Sequence, residues 1–152
     1  MADLPDSIQV TAPFSDGAAI PIRYSCDGDN VSPALTWSGV PAGTASLALV
    51  VDDPDAPGGT YVHWVLFAVP PSVTSLAEGA VAAGARQARN SAGHSRYDGP
   101  CPPRGKPHHY RFKVYALSEQ LSAENGADTG DVLRSIEKAA IARGQVTGTF
   151  AR

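Results

Sequence analysis

The sequence predicts a mainly β protein carrying one short helix. Fifteen glycines and 13 prolines among 152 residues put a turn former at nearly one position in five, which suits short strands and disfavours a helix bundle. Two runs, 46–51 (SLALVV) and 61–69 (YVHWVLFAV), are rich in β-branched and aromatic residues and apolar on both alternating faces, as central strands covered on each side are. A third run, 108–117, alternates instead. His108, Tyr110, Phe112, Val114 and Ala116 fall on one face, and His109, Arg111, Lys113 and Tyr115 on the other, which predicts a strand with one face to the core and one towards water.

In chain order, weaker strands are expected at 8–13, 34–37 and 145–150, where Val146, Gly148 and Phe150 alternate with polar neighbours. The segment 78–88 is rich in alanine, but Gly79 and Gly84 each cost a helix about 1 kcal/mol relative to alanine, so loop is predicted there. Turn residues fill 90–107, which predicts a long ordered loop of the kind that carries function. One helix is expected over 131–143: Val132, Leu133, Ile136, Ala139 and Ala140 form its stripe, Thr129 or Asp131 caps its start and Gly144 ends it.

The length fits one domain over residues 1–152, and 43% hydrophobic with 18% charged residues excludes a disordered or coiled-coil chain. A net charge of −3 gives no reason to expect nucleic acid as a partner. The first residues are acidic where a signal peptide needs a basic start, and no apolar run approaches the ~20 residues of a membrane span, so the cytoplasm is the expected location. Cys26 and Cys101 fit no zinc spacing and are too few for a secreted disulfide scaffold. No cofactor is expected.

Candidate chemistry lies in three places. Asp53 and Asp55, in the stretch DDPDAP, each precede a proline; in an extended chain they share a side, although a plain acidic turn ends a strand the same way. His63 interrupts an otherwise apolar strand and needs a partner for its N–H, as a purely structural histidine also would. His108 and Tyr110 face the core directly after the loop. Two histidines, a tyrosine and two carboxylates are too many polar groups for a small core unless they converge and satisfy one another.

Such a cluster binds a divalent metal, or it is a pocket in which carboxylates orient histidines towards an anion. Metal spacing such as HxxxH is absent. Residues 86–111 hold six of the 12 Lys and Arg against one acid, while residues 1–60 hold eight acids and only Arg23, so the anion is favoured at the basic loop.

The strings DPDAP, then HW, then NxxGxxxYxGPxPPxGxxHxY (residues 90–110) resemble the phosphatidylethanolamine-binding protein family, and the upstream CDGDNVSPALTWSGVPAG resembles its bacterial and archaeal branch. The resemblance implies a β-sandwich with a large central antiparallel sheet, a smaller second sheet and a short C-terminal helix. It also implies a pocket for phosphate or a phosphoryl-containing small ligand, lined by Asp53, Asp55, His63, His108 and Tyr110, with Tyr97 and the backbone at Cys101 as its loop wall. Backbone N–H groups of residues 99–105 would help to bind the anion. His109 stands where an arginine is more usual.

By the same resemblance the protein is a regulatory module whose rim engages a kinase or protease as an inhibitor. The alternative is a small-molecule enzyme using the His/Asp pocket for acid–base chemistry, although no serine or cysteine is placed as an evident nucleophile. The family-like fold also brings the loops of Cys26 and Cys101 to one end of the sheet, where two separate thiols or one bridge are both compatible with the sequence.

Overall fold

A computed structural model describes residues 4–152. Among the described residues, eight strands form two antiparallel sheets. Strands β1 (Gln9–Thr11), β2 (Leu35–Ser38) and β5 (Ser75–Leu76) make the small sheet in the order β1-β2-β5. The large sheet runs β6-β4-β3-β7-β8, from β3 (Ser46–Asp53), β4 (Tyr61–Val69), β6 (Arg86–Gln87), β7 (His108–Leu117) and β8 (Ala140–Phe150).

Both central strands are covered on two sides, as their unbroken apolar runs require. Leu47, Leu49 and Val51 of β3 pack with Trp64, Leu66, Phe112 and Val146 beneath the small sheet, where Ile8, Leu35 and Trp37 close the layer. On the opposite face Ala48 and Val50 meet Val65 and Phe67 under α1 (Thr129–Ala139), which contributes Val132, Ile136 and Ala139. The residues of β7 fall in the predicted phase, with Tyr110, Phe112, Val114 and Ala116 buried inward. Its other face is half-covered rather than open to water, because α1 lies across it.

The helix is shorter than its sequence stripe. Asp128 caps it, accepting from the Asp131 N–H at 3.1 Å, and it ends at Ala139. From Ala140 the backbone pairs with β7, Ala140 opposite Leu117, so the apolar residues 140–142 serve a strand. Gly144 is therefore no helix stop: it lies in β8 against Ile8, and a Cβ there would sit 1.9 Å from the Ile8 carbonyl oxygen. The predicted loop 78–88 holds only β6, and none of its described residues is helical. No described helix is long and apolar enough to cross a membrane.

The covered outer face contains one charged cluster. Asp52, buried on β3, accepts from Arg111 Nε at 2.7 Å, Arg111 Nη2 at 3.1 Å and Lys113 Nζ at 2.9 Å. Removing one partner of a buried ion cluster leaves the others uncompensated. Asp52→Ala is therefore expected to cost roughly 3 kcal/mol in equilibrium urea unfolding. A loss under about 1 kcal/mol would mean that both cations reach water without it.

Candidate functional site

The site sits where the end of β3 and the starts of β4 and β7 meet, a juxtaposition set by the antiparallel order. Between Val51 and Asp52 the β3–β4 register slips: Val51 faces Trp64 and Asp52 faces Val62, so His63 is an extra, bulged residue. A regular pleat would turn His63 and Trp64 to opposite faces. The bulge instead brings the His63 ring 5.3 Å from that of Tyr110, on the inner face, and 4.9 Å from that of Tyr61.

A bulged residue also frees its carbonyl from the ladder, and that oxygen must be satisfied elsewhere. The His63 carbonyl accepts from Asn90 Nδ2 at 3.1 Å and from the Asp98 N–H at 3.2 Å. In return His63 Nδ1 donates to the Asp98 carbonyl at 2.7 Å. This reciprocal pair fixes the ring: Nδ1 carries the proton, and Nε2 is left for the pocket. Burial, with the residue 6% exposed, holds the His63 imidazole below its ordinary pKa despite the Asp98 carbonyl and the nearby Asp53 charge.

The partner of His108 is a carboxylate. Its Nδ1 donates to Asp53 Oδ2 at 2.6 Å, while Asp53 Oδ1 accepts the Asp55 N–H at 2.8 Å. The side chain of His108 is 14% exposed against 56% for His109, as the alternation of β7 demands. Tyr110 lies beneath, its ring 6.4 Å from that of His108, and burial followed by the Asp53 charge pushes its phenol pKa up, so it stays protonated.

These groups line a cavity of about 400 Å³ with Asn30, Tyr61, His94, Asp98, Cys101 and Pro102. Asp53, His63, Cys101, His108 and Tyr110, all expected from the sequence, thus come together. Two expected residues do not join them. Asp55 turns outward because the Asp53 side chain caps its N–H in an Asx-type turn, so the chain is not extended there. Its carboxylate binds His109 instead, through the backbone N–H at 2.8 Å and Nδ1 at 2.7 Å, and these bonds hold it below the usual carboxylate range. Tyr97 belongs to the core: its ring packs edge-on to Trp64 at 5.8 Å and its hydroxyl donates to the Tyr24 carbonyl at 2.8 Å.

Asn90 and Asp98 were not expected to matter and prove central. Asn90 is buried; its amide also donates to the Arg96 carbonyl and Asp98 Oδ2, and its Oδ1 accepts from the N–H groups of Ala92 and His94. Asp98 binds His94 Nδ1 at 2.7 Å and Arg96 Nε at 3.1 Å; burial raises its pKa, but these donors with Asn90 outweigh burial and hold it low. The only sequence signal was an asparagine opening a glycine-rich loop.

The loop wall offers fewer backbone donors than expected. Pro100, Pro102 and Pro103 have no N–H, that of Gly99 is taken by Asn30 Oδ1 at 2.7 Å, and that of Gly105 points to the Arg152 carbonyl at 3.4 Å. Within 99–105 this leaves Cys101 and Arg104. Cys26 and Cys101 form a disulfide, Cα atoms 5.4 Å apart, and both line the cavity. No cluster of three or more His, Cys, Asp or Glu suited to a metal ion occurs among the described residues.

The chain is thus a two-sheet β protein with a histidine-lined pocket at one end of its large sheet. The chain matches the family described as phosphatidylethanolamine-binding protein over residues 10–151 and belongs to it. It is 49% identical over 138 residues to a Mycobacterium tuberculosis relative named as a lipoprotein, LppC, covering 90% of this chain and 68% of that one. Identity is 44% over 147 residues to a UPF0098 protein of Methanothermobacter thermautotrophicus, covering 93% and 97%. The crystal structure of Escherichia coli YbcL, described as a new member of the mammalian PEBP family, superposes with a TM-score of 0.91 at 36% identity, covering 96% of this chain and 99% of that one.

A lowered His63 pKa has a signed consequence. The unfolded chain takes up a proton near pH 6.5 while folded His63 resists until lower pH, so stability is whole above about pH 6.5 and falls as pH drops from there to the folded value. The ring resonances of His63 are expected to titrate below about 6.5 by NMR, and His63→Gln should flatten that part of the pH–stability curve. A His63 titration at or above 6.5 would show that water reaches the ring.

Proposed function

We propose that the protein is an anion-binding module whose pocket takes a phosphate or phosphoryl group. One observation carries this: two imidazoles on different strands line one cavity, each with Nδ1 held by an oxygen of the chain, so that Nε2 is the free atom of both. When His108 is protonated, its Nε2–H is a charged donor beside Asp53, and the Tyr110 phenol adds a neutral one. The loop that lines the cavity at 98–103 also carries exposed Arg96, Arg104 and Lys106, which supports a wider proposal that a protein such as a kinase or protease docks there.

A second reading, acid–base turnover of a small molecule, is favoured by the short Asp53–His108 hydrogen bond, which orients an imidazole as catalytic dyads do. Against it, Cys101 is bonded to Cys26 and no serine or threonine lines the pocket among the described residues, so the pocket holds neither a free thiol nor a serine or threonine hydroxyl as nucleophile. A turnover screen with phosphoesters and carboxylic esters separates the readings. The disulfide also argues for an oxidising compartment over the cytoplasm expected from the acidic first residues and the missing apolar span, in keeping with a relative named as a lipoprotein.

Neutral His63 presents only a lone pair at Nε2, whereas its protonated form donates, so phosphate affinity is expected to fall as pH rises. His108→Ala should weaken inorganic phosphate by about 1.5 kcal/mol or more, the value of a hydrogen bond to a charged group, in NMR titration. Affinity that stays flat from about pH 5 to 8 in both proteins would reject the imidazolium role.

A further inference from the structure

The wall of the cavity is a segment held by few hydrogen bonds, with Pro100 and Pro102 packed inward. Four of its eight residues, 100–107, are proline, and its backbone is tied by the Cys26 N–H on the Pro100 carbonyl at 3.0 Å and the long Gly105 contact to Arg152. No strand or helix forms there. The covalent bond to Cys26 is therefore the strongest tether of the wall to the opposite loop. Cys101 is exposed, and Arg152 Nη1 lies 3.7 Å from its Sγ while Arg152 Nε also binds Asp27, the neighbour of Cys26, at 3.2 Å. Asp27 Oδ1 lies 3.9 Å from Cys26 Sγ.

We propose that the Cys26–Cys101 bond is a reversible thiol-exchange site that sets the pocket: a small dithiol opens it in the folded protein, and the wall loosens. Arg152 draws the incoming thiolate to Cys101 Sγ, the more accessible sulfur. A new S–S bond forms there, the bond to Cys26 breaks, and Cys26 leaves as a thiolate that takes a proton from water. The dithiol's second thiolate then attacks the dithiol sulfur bonded to Cys101 and releases Cys101, whose thiolate Arg152 stabilises until it takes a proton from water. The dithiol is oxidised by two electrons, and the protein gains two electrons and two protons. Without the tether, the wall relies on two backbone contacts and the Arg152–Asp27 pair, and the position of Cys101 beside the imidazoles is no longer fixed.

The affinity arm of the test rests on the anion reading; the exchange arm does not. The native protein is treated with dithiothreitol, alkylated and weighed intact. Two alkylated thiols are expected while far-UV circular dichroism stays folded, with reduction slowed about fivefold by Arg152→Ala. Amide hydrogen exchange across residues 98–105 should quicken at least about tenfold on reduction, and likewise in the Cys26→Ser/Cys101→Ser variant. Inorganic phosphate should bind the reduced protein about fivefold or more weakly. A bond reduced only under unfolding conditions, or a reduced protein with unchanged exchange at 98–105, overturns the proposal. If the oxidised protein binds no phosphate, the anion reading fails and the exchange measurement alone decides this one.

Discussion

Because β4 spends two residues where β3 spends one, between Trp64 and Val62, His63 stands outside the ladder, and the rest of the site follows from satisfying it. Its unpaired carbonyl requires donors, which Asn90 and the Asp98 N–H supply; its imidazole N–H requires an acceptor, which the Asp98 carbonyl supplies. One bulge thus recruits a loop some thirty residues downstream and fixes which imidazole nitrogen faces the cavity. The loop in turn is shaped around Asn90, whose amide spends both ends on backbone and on Asp98. A regular β4 would leave none of these groups in need of each other.

The three aspartates at the end of β3 show how a strand sorts like residues by direction. Asp52 points to the outer face and neutralises Arg111 and Lys113, a structural task. Asp53, one residue on, points inward to His108. Asp55 lies beyond the turn that Asp53 itself caps and reaches the exposed His109. The neighbouring histidines of β7 are sorted the same way, so two adjacent Asp–His pairs share a sequence motif but not a surface: one lines the cavity, the other is exposed outside it.

What could be read from the chain divides along the same physical line. The long strands and the phase of β7 were legible because burial on one or two faces writes a period into the residues. The convergence of Asp53, His63, His108 and Tyr110 was legible because unpaired polar groups in a core must meet. The bulge was not, since an all-apolar run hides a slip in phase; a pleat drawn through Trp64 and Leu66 would have put His63 on the wrong face. The end of α1 was misplaced because Ala139, Ala140 and Ile141 suit a helix stripe and a strand alike, and only the pairing of Ala140 with Leu117 decides. Asp55 was misplaced by reading DPDAP as extended when the Asp53 carboxylate turns it. Tyr97 was placed in the wall by resemblance alone, and its hydroxyl was claimed by Tyr24.

Asp53 and Asp98 in the lining would repel the anion proposed for this pocket, and their hydrogen bonds answer that objection. Each of the four carboxylate oxygens already accepts: those of Asp53 from the Asp55 N–H and His108, those of Asp98 from Arg96 and from Asn90 with His94. Their charge is met within 3.1 Å by donors of the chain, so the repulsion an incoming oxyanion feels is reduced while the imidazoles they orient keep Nε2 free. The two rings then differ by design of their partners. His108 is held by a carboxylate, and His63 is held by a carbonyl in a buried bulge, where burial favours the neutral form. On the anion reading proposed above, both rings meet the ligand through Nε2, a donor once the imidazole is protonated, and His63, which burial keeps neutral, is the ring whose protonation sets the pH dependence.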